Sequence, residues 1–124
     1  MPQPSSRRVA VIGASNDRRK FGNKAVRAFL RQGYQVVPVN PHETQVEGLP
    51  AYRSILDVPG SIDMATVYVP PGVGLTLIAD LAAKGIGELW LNPGAESPEL
   101  VARARALGLD PIQACSIVGI GEVP

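Results

Sequence analysis

RRVAVIGAS, residues 7–15, is the stretch that decides the fold. Its valine, alanine and isoleucine occupy consecutive positions rather than alternate ones. A strand with one wet face alternates, so an unbroken apolar run implies a strand buried on both faces, as in a parallel sheet covered by helices. Gly13 closes the strand, and the loop over residues 14–22 leads into a helix expected over 23–32. Val26, Phe29 and Leu30 share one face of that helix, and Gly33 ends it. A glycine turn between a buried strand and a helix N-terminus is a place for an anion. The first N–H groups of the helix lack intrahelical partners, and its dipole is positive there.

Outward from this unit the same alternation continues. YQVVPV, residues 34–39, reads as a second strand. Pro38 cannot donate to a ladder, which places it near the strand's end or at a bulge. Residues 42–56 are expected to hold a short strand near Ala51 and Tyr52, with a helical turn begun by Ser54 and stopped by Pro59. A strand over 63–69 precedes a helix over 74–84, with Leu75, Ile78, Leu81 and Ala82 inward and Gly85 closing it. A strand over 88–91 precedes a helix capped by Ser97, with Pro98 in its first position and Glu99 facing its dipole. Leu100, Val101, Ala104 and Leu107 form its apolar stripe and Gly108 ends it. Residues 109–115 fit a last strand, and residues 116–124 carry no clear pattern. The expected architecture is α/β: one Rossmann-like, doubly wound parallel sheet with helices on both faces, over residues 7–124, behind a flexible tail at 1–6.

Composition narrows the function. The chain has 124 residues, is 45% hydrophobic and carries a formal net charge of +1. That charge offers no basic field for nucleic acid, so any ligand phosphate must be met by local groups. No stretch is long and apolar enough to span a bilayer. The single cysteine, Cys115, cannot form an internal disulfide and suits a reducing compartment, so a cytoplasmic protein is expected. Self-association or an unidentified protein partner is left open.

In open α/β sheets, ligands sit at the carboxyl ends of the strands. Those ends here carry Gly13-Ala14-Ser15, Asn40-Pro41, Pro70-Pro71-Gly72 and Asn92-Pro93-Gly94. Glycine and proline can simply end strands, but their recurrence along one sheet edge points to a site. The first loop is the most specific, because Ser15 adds a hydroxyl, Arg18, Arg19 and Lys20 add cations, and Gly22 allows a tight entry into the helix. The alternative is a solvated charge run. The dinucleotide pattern G-x-G-x-x-G is incomplete, since only Gly13 is in place. The second strand ends in Asn40 where NAD sites carry an acid for the ribose. An asparagine does not repel a ribose phosphate, so a 3′- or 2′-phosphorylated nucleotide is favoured over NAD. Catalytic groups are sparse. His42 is the only histidine, Cys115 reads as a small buried hydrophobe, Trp90 as core, and the acids are scattered. Asn92, at a strand's carboxyl end, is the better ligand candidate.

The motifs VAVIGAS (9–15), VVPVNP (36–41), VYVPP (67–71) and LWLNPGAES (89–97), with Cys115 near the end, resemble the small stand-alone CoA-binding-domain family. That family is similar to the N-terminal nucleotide-binding domain of the succinyl-CoA synthetase alpha subunit. The resemblance implies that Gly13, Ala14 and Ser15 meet the CoA diphosphate, with Lys20, Phe21 and Gly22 completing the loop, where Arg19 is a further candidate from its charge. It implies that Asn40 and Pro41 lie along the adenosine and its 3′-phosphate. Val69, Pro70 and Pro71 would flank the adenine or the start of the pantetheine arm, and Asn92, Pro93 and Gly94 would line the arm's path. Many members carry glutamine where Asn92 stands, and the segment after Cys115 is usually longer and more polar. The phosphohistidine of the synthetase belongs to another domain, so ligase chemistry does not follow. The expectation is a small-molecule module for coenzyme A or acyl-CoA, without catalysis of its own and without metal. The alternatives are an NADP-dependent oxidoreductase and an interaction module whose fold has lost its ligand.

Overall fold

The computed structural model describes residues 7–124, so the tail expected at 1–6 lies outside the described residues. The chain runs β1 (Arg8–Ile12), α1 (Phe21–Arg31), β2 (Gln35–Val39), β3 (Gln45–Val46), β4 (Leu49–Pro50), a 3-10 turn (Ile55–Asp57), β5 (Met64–Val67), α2 (Pro71–Lys84), β6 (Glu88–Leu91), α3 (Pro98–Ala106), β7 (Ile112–Gln113) and α4 (Ser116–Gly119). Five strands form one parallel sheet in the order β2-β1-β5-β6-β7, and β3 and β4 form a separate antiparallel hairpin. The chain moves from β1 outward to β2, then returns to the other side of β1 as β5. This reversal makes the carboxyl ends of β1 and β5 the switch point of the sheet.

The apolar run of β1 works as its composition demands. Val9 and Val11 join Val26 and Phe29 of α1 and Ile117 of α4 on one face. Ala10 and Ile12 join Ile78 and Leu81 of α2 and Leu100, Val101 and Ala104 of α3 on the other. The α/β architecture with helices on both faces is therefore as the sequence predicts.

The differences have local causes. Pro38 stands one residue before the end of β2, which is an edge strand. Its carbonyl accepts from Tyr52 N–H at 3.0 Å on the outer side, while that of the next residue, Val39, accepts from Gly13 N–H toward β1. The donor that proline lacks would have pointed outward, so no bond to β1 is lost. Helix α1 starts at Phe21, two residues earlier than expected, and α2 at Pro71, three earlier. Pro71 takes the first helical position, where its fixed φ is already helical. Leu30 and Leu107, expected inward, are 39% and 38% exposed. The last strand shrinks to two exposed residues, and Ser116–Gly119, where the sequence carries no clear pattern, forms a helical turn.

Candidate functional site

The carboxyl ends of β1, β5 and β6 open into a cleft of about 710 Å³. Its wall begins at Gly13, whose φ of +90° turns the chain sharply out of β1. Two asparagines tie the following loop down. Asn40, at the end of β2, donates from Nδ2 to the Ala14 carbonyl at 2.7 Å, and buried Asn23 of α1 donates to the Ser15 carbonyl at 2.8 Å. Asn23 is itself held, because its Oδ1 accepts from Arg27 Nε at 2.8 Å. With these carbonyls occupied, the loop has donors rather than acceptors to present. Helix α1 begins directly behind it with no acid in its first turn and no side-chain cap. Its first N–H groups and its positive dipole end therefore remain available to an anion.

Gly22 makes this juxtaposition possible. A Cβ placed there would lie 2.1 Å from the Gly13 carbonyl oxygen, so only glycine lets α1 start this close to the turn after β1. The role resembles that of the last glycine of a dinucleotide motif, filled at a different spacing.

The loop cations divide sharply. Arg19 clamps Asp17 from Nε at 3.0 Å and Nη2 at 3.1 Å, and its side chain is 91% exposed. The Arg19 guanidinium and its backbone N–H hold the Asp17 carboxyl down to about 2. Arg18 sits 3.6 Å from Glu47. Of the three, Lys20 lines the cleft.

Eleven of the residues singled out from sequence line this cleft: Gly13, Ser15, Lys20, Phe21, Gly22, Asn40, Val69, Pro70, Asn92, Pro93 and Gly94. Ala14 is fully buried in the core beside them. Arg19 points to Asp17, Pro41 is exposed beyond the end of β2, and Pro71 starts α2. Asn92 is 2% exposed and engaged within the fold. Its Nδ2 donates to Thr66 Oγ1 at 2.7 Å and to the Val67 carbonyl at 2.9 Å, and its Oδ1 accepts from Ser116 N–H at 2.9 Å. Both amide donors are consumed, so Asn92 braces β6 against β5 and α4 rather than reaching outward.

Sequence reasoning missed Tyr68, Ala95, Val118 and Pro124, which also line the cleft. Cys115, read as a buried hydrophobe, is half-buried and lines it too. Tyr68 lay within a motif read as continuous strand, and a four-residue helix leaves no periodic pattern to find. Burial pushes the Tyr68 phenol above its ordinary pKa, with the Ser116 hydroxyl, 3.1 Å away, acting in the opposite sense. Among the described residues, no three His, Cys, Asp or Glu side chains gather as a metal site, and no helix is long and apolar enough to cross a membrane. A largely apolar cleft with a few convergent polar groups and an anion-ready helix end suits a ligand that is part phosphate and part apolar arm.

Comparison with known proteins agrees with this geometry. The family model described as "CoA binding domain" matches residues 7–120. The alpha subunit of an ADP-forming acetate–CoA ligase II from Pyrococcus furiosus is 34% identical over 114 residues, covering 83% of this chain and 25% of that protein. The chain thus spans a quarter of the length of that relative. A conserved hypothetical protein from Pyrococcus furiosus superposes with a TM-score of 0.83 at 34% identity, covering 91% of this chain and 98% of the other. A dinucleotide-forming acetyl-coenzyme A synthetase 1 from Ca. Korarchaeum cryptofilum, in its apo form, superposes with a TM-score of 0.77 at 30% identity, covering 90% of this chain and 26% of that one.

Proposed function

The chain belongs to the CoA binding domain family, and from that premise we propose that it binds coenzyme A, or an acyl-CoA, in the cleft above β1, β5 and β6 as a carrier or regulatory module with no catalysis of its own. The observation that carries the proposal is the uncapped N-terminus of α1, brought against the Gly13 turn by Gly22 with Lys20 beside it. In this reading the diphosphate sits over Gly13, Ala14 and Ser15 and meets the first N–H groups of α1. The adenosine 3′-phosphate lies toward Asn40 and Pro41, where the neutral amide adds no repulsion. Val69, Pro70 and Pro71 flank the adenine or the start of the arm, and Pro93 and Gly94 line the arm's path. Asn92 serves this site by holding its floor. The free thiol of Cys115 fits a reducing, cytoplasmic setting. The ligase step of the longer relatives forms no part of the proposal.

Titration calorimetry with CoA, dephospho-CoA and NAD tests it. The expected order is CoA tightest, then dephospho-CoA, then NAD. Equal affinity for CoA and dephospho-CoA would overturn the placement of the 3′-phosphate. Ser15→Ala and Lys20→Ala should each weaken CoA, Lys20→Ala by about ten-fold for one lost charge-assisted contact. Unchanged affinity in both would move the diphosphate elsewhere. Mass spectrometry of small molecules co-purifying with the protein checks the ligand independently.

A further inference from the structure

Asn92, Thr66, Ser116 and Tyr68 form one hydrogen-bonded line beneath the cleft. The Asn92 amide is fixed in orientation, because the Val67 carbonyl can only accept from it and the Ser116 N–H can only donate to it. From there, Nδ2 donates to Thr66 Oγ1 at 2.7 Å. Thr66 Oγ1 lies 2.7 Å from Ser116 Oγ, which lies 3.1 Å from the Tyr68 hydroxyl. Tyr68 is joined to Thr66 through Ser116 and not by a bond of its own.

Each of the three hydroxyls has one proton to place. Thr66 and Ser116 have no solvent exposure. One neighbour of Thr66, the Asn92 amide, is a donor, so the Thr66 proton has a single acceptor, Ser116 Oγ. The Ser116 proton then goes to the remaining neighbour, Tyr68 Oη. The reverse order would leave a buried Thr66 proton without an acceptor, which folded proteins rarely contain. Tyr68 therefore receives a hydrogen bond from the protein and keeps its own proton for the cleft it lines.

We infer that Tyr68 is a preset hydrogen-bond donor for a carbonyl oxygen on the arm of the ligand. The inference rests on the CoA reading. That arm carries amide carbonyls, and an acyl-CoA adds a thioester carbonyl. The burial that keeps the phenol protonated favours the same role.

Calorimetry of wild type and Tyr68→Phe with CoA, acetyl-CoA and adenosine 3′,5′-bisphosphate tests it. Tyr68→Phe should weaken acetyl-CoA by about ten-fold, the effect of one neutral hydrogen bond at the strong end of its range. The bisphosphate, which has no arm, should bind unchanged. A loss for acetyl-CoA alone assigns the thioester carbonyl, and an equal loss for CoA assigns an amide. Equal loss for all three ligands, or none for any, overturns the inference. Site-specific 3-fluorotyrosine at position 68, a stronger donor and weaker acceptor, should tighten acetyl-CoA, and weaker binding there also overturns it. A wild type that binds no CoA removes the reading beneath and this inference with it.

Discussion

Gly22→Ala is the sharpest test of how the cleft is built. Gly22 is buried in the first turn of α1. An added Cβ would meet the Gly13 carbonyl oxygen at 2.1 Å, its carbon at 3.1 Å and Ala14 Cα at 3.4 Å, all of them backbone atoms. Real Cβ atoms keep at least 3.0 Å from such neighbours, so the helix and the turn must separate by at least 0.9 Å. Rotating a side chain cannot relieve the clash. The whole of α1 must move, and with it Val26 and Phe29, which are packed into the core without exposure. Overpacking costs about 1–3 kcal/mol where neighbours can adapt, and a backbone clash belongs at the top of that range. For a domain of this size, about 3 kcal/mol corresponds to a fall in Tm of about 12 °C. CoA affinity should fall as well, because the loop and the helix end that frame the anion part company. Gly72→Ala in the first turn of α2 is the control, since its Cβ would meet nothing within 4 Å. Alanine favours helix there by about 0.5–1 kcal/mol, so its Tm should rise by about 2–4 °C. Thermal melts by circular dichroism and titration calorimetry read both variants. A Gly22→Ala protein melting within about 2 °C of wild type would refute the reasoning, because the clash would then have been relieved at almost no cost.

Asn92→Ala should destabilise by about 3 kcal/mol in urea unfolding, because it strands the buried Ser116 N–H and removes the donor to Thr66; a loss below about 1 kcal/mol would mean the network repacks without it. The Glu122 carboxyl is held below its usual 4.5 by the Gln32 hydrogen bond, then by Arg31. A depressed folded pKa stabilises fully above the usual value and ceases to do so as pH falls through the lowered one. Wild-type Tm should therefore drop more steeply than that of Glu122→Gln as pH falls below 4.5, and parallel curves would contradict the clamp. Asn40→Asp should weaken CoA by about ten-fold more than dephospho-CoA, since a carboxylate repels the 3′-phosphate at close range. Equal losses would place that phosphate away from Asn40.

The fold was legible because its strongest signals are local and redundant. An apolar run without alternation at residues 9–12 can be satisfied only between two helical layers, and Ser97-Pro98-Glu99 carries cap, first turn and dipole partner together. The Ser97 hydroxyl does accept from Leu100 N–H, at 3.1 Å. Legibility failed where the deciding contact is distant in sequence. Leu30 and Leu107 fit their helical stripes but end facing solvent, because the neighbouring layer does not extend over them. Pro70-Pro71 read as the end of a strand, whereas the second proline opens α2. The run Arg18-Arg19-Lys20 looked like three charges for phosphate. Asp17 and Glu47 engage two of them, and the partner 29 residues from Arg18 leaves no trace in the local sequence. Tyr68 and Cys115 join the cleft through α4, whose four residues carry no period to read.

Three asparagines fix the segments that frame the cleft. Asn23 lies in α1, and Asn40 and Asn92 directly follow β2 and β6. Asn40 donates to backbone, Asn92 to backbone and a buried hydroxyl, and Asn23 to the Ser15 carbonyl and the Glu47 carboxylate. Asn23 and Asn40 hold two consecutive carbonyls, those of Ala14 and Ser15, which leaves the loop to offer donors to an anion. Asn92 orients the line of hydroxyls that ends at Tyr68. An amide suits all of these positions because it donates and accepts without charge, whereas a carboxylate could not donate and would repel phosphate. At Asn40 the absence of an acid therefore has two consequences at once. It removes the ribose partner that NAD sites use, and it supplies the donor that pins the loop after β1 at the Ala14 carbonyl. On the proposed CoA reading, ligand preference and loop geometry in this cleft depend on the same side chain.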